Sequence, residues 1–436
     1  MTINHAISSH NPSERRLLYI HIIMFLLAFI LIISRRPDAI LNPQFWAEDG
    51  TVFYAQAYNN GSLNSLFLPY AGYLHAVPRL TAAFSMLFPL KSAPLVFNLI
   101  AIIIQILPVN FLISSRFSKL IPNINYRIFI SFLYLALPGC YEIHANITNA
   151  QWHIALLIFM ALIAQSSRLL INLLDTILVF IGGLTGPFSI IITPAISFFI
   201  LSDRFKEKRS YTFRSAKFLL LIITAIFQFI VIANDKTGQD RISGLNSNLL
   251  SLNTLDKISK ILTNQLFFIS FLGTKITDRL VKTLPEYLYN YLSVITVIIG
   301  ASILFYLLLK SPFALKSFII FSALIPSAVI ASEFPDISEF LLVGFGGRYW
   351  FNFILSFSLG VLWLSHQIYK KRNHISKILV AIILLLMIVG ISSDWQHPPF
   401  TDFEFAKYAD KFAELPTGQK LLIPINPTLS MELIKH

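Results

Sequence analysis

Apolar runs long enough to cross a bilayer recur along nearly the whole chain of 436 residues, with only short polar breaks between them. Runs such as 17–33, 218–232 and 378–391 approach the roughly 20 residues that a helix needs to span about 30 Å of hydrocarbon. A strand core has no use for segments of that length, and a backbone in lipid must satisfy its own hydrogen bonds, so the runs predict helices. Composition agrees: 55% of residues are hydrophobic and 13% charged, where a soluble domain carries roughly a quarter charged. The reading is an all-α, polytopic transmembrane helix bundle of about eleven spans, near 17–33, 93–113, 126–140, 152–166, 168–183, 186–202, 217–233, 289–309, 316–332, 349–368 and 377–392. One membrane domain, 1–392, contains a first outer loop, 34–92, and is followed by a short extracytoplasmic tail, 393–436.

The net charge of +12 acquires meaning from where the charges lie. With the amino terminus in the cytoplasm, the inside segments hold 18 of the 34 bases against only Glu14, Asp203 and Glu207, while 18 of the 22 acids fall outside. That is the positive-inside pattern, and it sets topology. The basic run from Arg204 to Lys217 then faces anionic lipid, and no nucleic-acid partner is implied. Ser34, Arg35 and Arg36 follow the first run without a small-residue cleavage pattern, so that run reads as a retained anchor. Segments 74–90 and 261–272 read as interfacial or re-entrant. The single cysteine, Cys140, excludes an internal disulfide framework and a thiol metal cluster.

The outer loops carry the polar residues that suggest chemistry. Glu48 and Asp49 sit beside Trp46 and before Gly50; a partly desolvated carboxylate there suits a general base, while the plainer reading is that the pair begins a helix over 51–58. Tyr70 and Tyr73 offer aromatic faces, and His75 and Arg79, four apart, would share a helix face. A second loop crowds Glu142, His144, Asn146, Trp152 and His153 together, a density suited to holding a sugar, with interfacial aromatic anchoring as the alternative. Glu142, His144 and His153 also admit a divalent cation, although no compact ligand motif is present. The glycines of 182–186 suit a tight helical hairpin better than a phosphate cradle, since no P-loop lysine follows. Arg348 opens a late span, where its fork of donors would pair with a phosphate or reach headgroups. Asp175 lies inside a span and calls for a partner such as Arg168, or for a shifted boundary.

An acidic pair in the first outer loop, many following helices and the Arg348–Tyr349 pair together resemble the polytopic, lipid-dependent glycosyltransferases of the GT-C superfamily, in a bacterial envelope version. The resemblance implies a sugar donor on a polyprenyl phosphate, a glycan or glycolipid acceptor of the O-antigen or lipopolysaccharide kind, and an active site facing outward from the inner (plasma) membrane. It implies Asp49 or Glu48 as the base and Arg348 as a donor-phosphate contact. Arg79 and His75 would help stabilise the leaving phosphate. Trp46, Tyr70, Tyr73 and Trp152 would stack on sugar or prenyl surfaces, with Glu142, His144, Asn146 and His153 as further substrate contacts. No nucleotide site is needed, and a divalent cation is the one cofactor candidate. The tail, unlike the sizeable soluble domain of many members, is short. Three other readings remain: a transporter or flippase of lipid-linked sugars, a polysaccharide polymerase or ligase, and a non-enzymatic envelope assembly subunit.

Overall fold

Each of the eleven apolar runs folds as a helix in the computed structural model, which describes residues 12–164, 166, 168–203, 211–235, 251–333, 337–370 and 373–436. Of the basic run from Arg204 to Lys217, residues 204–210 lie outside the described residues. In chain order the helices are α1 Pro12–Arg35, α2 Ala76–Ser85, α3 Ala93–Ile113, α4 Ile124–Ala136, α5 Ala150–Ile163, α6 Leu169–Gly183, α7 Phe188–Asp203 and α8 Tyr211–Asn234. There follow α9 Leu252–Leu262, α10 Ile269–Thr283, α11 Glu286–Lys310, α12 Phe313–Glu333, α13 Gly347–Tyr369, α14 His374–Ser393 and α15 Phe405–Ala413. Strands β1 Lys420–Ile425 and β2 Leu429–Ile434 pair antiparallel as one hairpin.

Among the described residues, seven helices are long and apolar enough to cross a membrane: those containing 17–35, 90–113, 213–234, 286–310, 313–332, 347–369 and 374–393. The other four apolar runs form shorter helices of 10–17 residues. Helix α5 shows how a short helix is used. Its sequence is apolar around the whole circumference, the pattern of a helix with no solvent or polar face, and all of its residues are buried. It packs among α3, α6, α7 and α13. Lipid tails are as apolar as leucine, so this burial is held by close packing and by the polar groups at the helix ends.

Helix α4 stops at Ala136 because Pro138 disfavours helical backbone in the residue before it. The chain from Leu137 to Asn149 is then irregular and largely buried, which is tolerable only if its backbone groups find partners. They find them in charged side chains from distant segments. Arg35 donates to the carbonyls of Leu135 and Leu137, at 2.6 and 3.0 Å, and Arg36 donates to that of His144 at 3.0 Å. The carboxylate of Asp394 accepts from the amide of Gly139 at 3.0 Å and from those of Thr274 and Lys275.

Segment 261–272, expected to be interfacial or re-entrant, is a wide turn over Thr263–Phe268 running into α10, which breaks at Gly273 with φ +73°. A Cβ at Gly273 would lie 2.7 Å from the carbonyl oxygen of Gly390, so only glycine lets α10 cross α14 this closely. The side chain of Gln265 donates to the carbonyls of Phe340 and Leu342 and accepts from the amide of Gly344. It thereby fixes the loop that leads into α13. Segment 74–90 contains α2, with Arg79 and Ala82 buried and Leu80, Phe84 and Leu87 exposed. Its outward side is apolar, as an interfacial helix requires.

The tail, 393–436, folds onto the first loop. Phe405 meets Phe45 edge-on at 5.3 Å, Phe412 meets Tyr58 at 5.5 Å, and Asn426 forms a bridge with Trp46. At the opposite end of the bundle, Asp175 is buried with Arg116 and Lys217 as its ion-pair partners. The expected partner, Arg168, gives way to these two because α6 lies against α8, which brings up Lys217, and the turn after α3 brings up Arg116. Nearby cations also hold helix C-termini: Arg127 donates to the carbonyls of Ile113 and Ser114, and Lys217 to that of Ala161. Those are the ends at which positive charge complements the helix dipole.

Candidate active site

The ends of α1, α5, α13 and α14 converge around the buried loop 137–149, and the first loop closes over it. The chain enters through Ala47, whose φ of +42° is left-handed. Asp49 then opens a single wide turn, Asp49–Tyr54, that continues as Ala55–Asn59. The plainer reading of the acidic pair holds to this extent: a helical segment does begin there. The carboxylate of Asp49 is directed elsewhere, however. It accepts from the amide of Ile147 at 3.1 Å and from the amide and hydroxyl of Thr148, both at 2.7 Å. Asp49 is 0% exposed, and burial pushes its carboxyl up to about 7, with neighbouring Glu48 adding to the rise and the three hydrogen bonds opposing it.

Glu48 occupies a different environment one residue earlier. It is half-buried and accepts a hydrogen bond from the Tyr70 hydroxyl at 3.3 Å. The two acids are therefore separated by role, Asp49 enclosed by the second loop and Glu48 at its edge.

Thr148 leads directly into the rest of the loop. The side-chain amides of Asn146 and Asn149 both donate to the carbonyl of Glu142, at 2.8 and 3.0 Å. The Glu142 carboxylate accepts from the amide of Arg348 at 3.0 Å and is ion-paired to its guanidinium. That guanidinium lies over the Tyr349 ring at 4.6 Å and donates to the Tyr349 hydroxyl at 2.9 Å. Tyr349 in turn meets Trp152 edge-on at 5.4 Å. Asp49, Asn146, Glu142, Arg348 and Trp152 are thus joined by one continuous set of contacts. The Arg348 side chain stays 36% exposed, leaving part of its donor fork open to an anion. The indole nitrogen of Trp152 and Oε1 of Gln151 are buried without partners.

Other expected site residues sit apart from this set. Arg79 is buried, donating to Gln56 at 2.6 Å and to the Leu68 carbonyl at 3.1 Å, with the Phe53 ring beneath it. His75 is enclosed by Phe53, Tyr70 and Tyr73, and burial pulls its ring down to about 3. It is neutral at pH 7 and brings no charge to a phosphate; both residues brace the first loop. His144 packs against His397 and contacts Gln105 and the Ile32 carbonyl, and burial holds its ring well below the usual histidine range. His153 is bonded to the Tyr134 hydroxyl at 2.8 Å, inside the bundle. Glu142, His144 and His153 accordingly point to three different partners. Among the described residues no group of three His, Cys, Asp or Glu side chains is placed to share a metal ion. Trp46 stacks on Phe400 at 5.1 Å, and Arg36 lies 4.3 Å from the opposite ring, Phe400.

Sequence reasoning missed Thr148, Arg36, Asp394 and Asn426. Arg35 and Arg36 follow the first apolar run, and Asp394 follows the last. Their signal was position: both groups immediately follow a span, where a side chain can reach the end of the bundle.

No protein-family model matches the sequence, and no curated protein matches it. A solved structure similar to this chain is the crystal structure of the Archaeoglobus fulgidus oligosaccharyltransferase in complex with zinc and sulfate, at 11% identity and a TM-score of 0.46. The match covers 91% of this chain and 56% of the other, so this chain spans little more than half the length of that protein.

Proposed function

We propose that this chain is a membrane glycosyltransferase of the GT-C kind, moving a sugar from a polyprenyl-phosphate-linked donor to an envelope glycan or glycolipid on the extracytoplasmic side. The observation that carries this reading is the continuous set of contacts from the acidic turn of the first loop, through Thr148, Asn146 and Glu142, to the part-exposed Arg348 at the mouth of α13. A carboxylate pair on the first loop and a part-exposed guanidinium at the start of α13, both braced by the buried loop 137–149, would provide the two charges that an inverting displacement needs. The acceptor hydroxyl loses its proton to a carboxylate while its oxygen forms a bond to the anomeric carbon. The bond from that carbon to the lipid phosphate breaks, and the phosphate leaves with the electron pair. Arg348 would stabilise the charge growing on it.

Of the two acids, Glu48 is assigned the proton. Both Asp49 oxygens are already taken by donors and no part of it is exposed, whereas a general base must come within hydrogen-bond reach of its proton. Asp49 then holds the turn that presents Glu48. A donor with a prenyl tail suits a bundle of apolar helices, since the tail dissolves between them while the head reaches the loops.

The test is the surface glycan and glycolipid profile, by mass spectrometry, of cells making the wild-type protein, Glu48→Gln or Asp49→Asn at matched membrane levels. Loss of a sugar-sized mass increment with Glu48→Gln is expected. A profile unchanged in both variants, yet abolished when the whole gene is removed, would contradict sugar transfer and indicate transport or assembly of the glycan.

A further inference from the structure

The carboxyl-terminal hairpin grips the segment carrying the two acids at both of its ends. At the near end, the amide of Ala47 donates to the carbonyl of Asn426 at 2.6 Å, and the amide of Asn426 donates to the carbonyl of Phe45 at 3.3 Å. The Asn426 side chain is itself locked, accepting from the amide of Thr401 at 2.8 Å and donating to the Thr401 carbonyl at 2.9 Å. At the far end, Asn59 donates to the carbonyl of Glu432 and accepts from the amide of Ile434, both at 2.9 Å. Glu48 and Asp49 lie between these two attachments. Gly50 completes the seat, since a Cβ there would come 2.7 Å from the Ile425 side chain.

The left-handed turn at Ala47 explains why such a grip is needed. An alanine in that region is strained and holds it only where surrounding contacts fix it. The two hydrogen bonds to Asn426 bracket Trp46 and hold Ala47 through its own amide. Released, Ala47 would relax toward ordinary backbone, and Glu48 would turn away from Tyr70.

We propose that the hairpin is a positioning clamp for the acidic turn, with Asn426 and Asn59 as its positioning residues. The proposal rests on the sugar-transfer reading for its consequence, while the clamp itself is a statement about backbone order. Hydrogen–deuterium exchange followed by mass spectrometry, on the full chain in lipid nanodiscs, tests the second independently of the first. Asn426→Ala should speed exchange of the amides in 46–51 by about tenfold, as a local opening does, and leave α3 unchanged. It should also lower kcat by about tenfold, equivalent to about 1.4 kcal/mol in the barrier, with the donor KM within about twofold. Asn426→Asp, which keeps the acceptor for Thr401, should recover part of both. Lys420→Ala, which removes only the exposed ion pair to Glu432 on the same hairpin, should change neither. Should Asn426→Ala fail to accumulate, Asn59→Ala, at the exposed rim, carries the same test.

Unchanged exchange in 46–51 would overturn the clamp whatever the activity does. Faster exchange with unchanged kcat would overturn the positioning role. Faster exchange in a protein whose wild type transfers no sugar would leave the clamp standing and remove the function assigned to the turn.

Discussion

Asp49 and Asp175 are both buried aspartates, 0% and 2% exposed, at opposite ends of the bundle. Asp175 faces two cations, Arg116 and Lys217 at 3.0 Å, the second of which also holds the carbonyl of Ala161 near the end of α5. Asp49 faces two backbone amides and a hydroxyl, and its charged neighbour is another carboxylate. A buried charge with opposite charges beside it is a structural joint. A buried carboxyl held only by neutral donors, beside a second acid, is balanced between its two protonation states. The proton chemistry proposed above falls at the end of the bundle that holds the two neighbouring acids.

The comparison predicts unequal costs for equal substitutions. Asp175→Ala strands two cations in the interior and should destabilise the chain most, by about 3–5 kcal/mol, read as a fall in the thermal midpoint in detergent. Asp49→Asn replaces an acceptor by an amide that cannot accept at both positions; its cost should be smaller, about 1–3 kcal/mol, with transfer reduced as the turn loosens. Equal losses for the two would erase the distinction.

Because Asp49 binds its proton more tightly in the folded chain, the stability this gives is complete below the ordinary value of 3.8 and is lost as pH rises through about 7. The thermal midpoint of the wild type should fall across that window, and Asp49→Asn should flatten this part of the curve. Thr148→Val removes one donor and keeps the amide, so it should have the smallest effect, about 1 kcal/mol, and should move the inflection of that curve upward, since the ionised form loses a partner.

The helices were legible because length and hydropathy act locally: all eleven runs are helical. The buried loop 137–149 was not, because its polar residues carry no period and read as surface. What buries it comes from Arg35 and Asp394, 100 and more positions away. Asp175 illustrates the same limit: sequence spacing offered Arg168, while packing supplied Arg116 and Lys217 from 59 and 42 positions away. At the site, the acidic pair, Glu142, Asn146 and Arg348 were legible as residues, but not that Asp49 is sealed and Glu48 is not. That difference is set by Thr148, whose hydroxyl had no pattern to distinguish it. The tail's hairpin carried no clear strand signal, since its strands are mostly leucine and polar residues with Pro424 inside the first, and nothing indicated what it holds.

The most direct test is sugar transfer by the purified protein in nanodiscs, with a polyprenyl-phosphate sugar as donor, comparing the wild type with Glu48→Gln. Glu48→Gln should keep the wild-type thermal midpoint and donor affinity, and lose at least about a hundredfold in turnover, the least that removal of a general base costs. Wild-type turnover in Glu48→Gln would contradict the assignment of the proton to Glu48 and, with it, the reading of Asp49 as the residue that holds the turn.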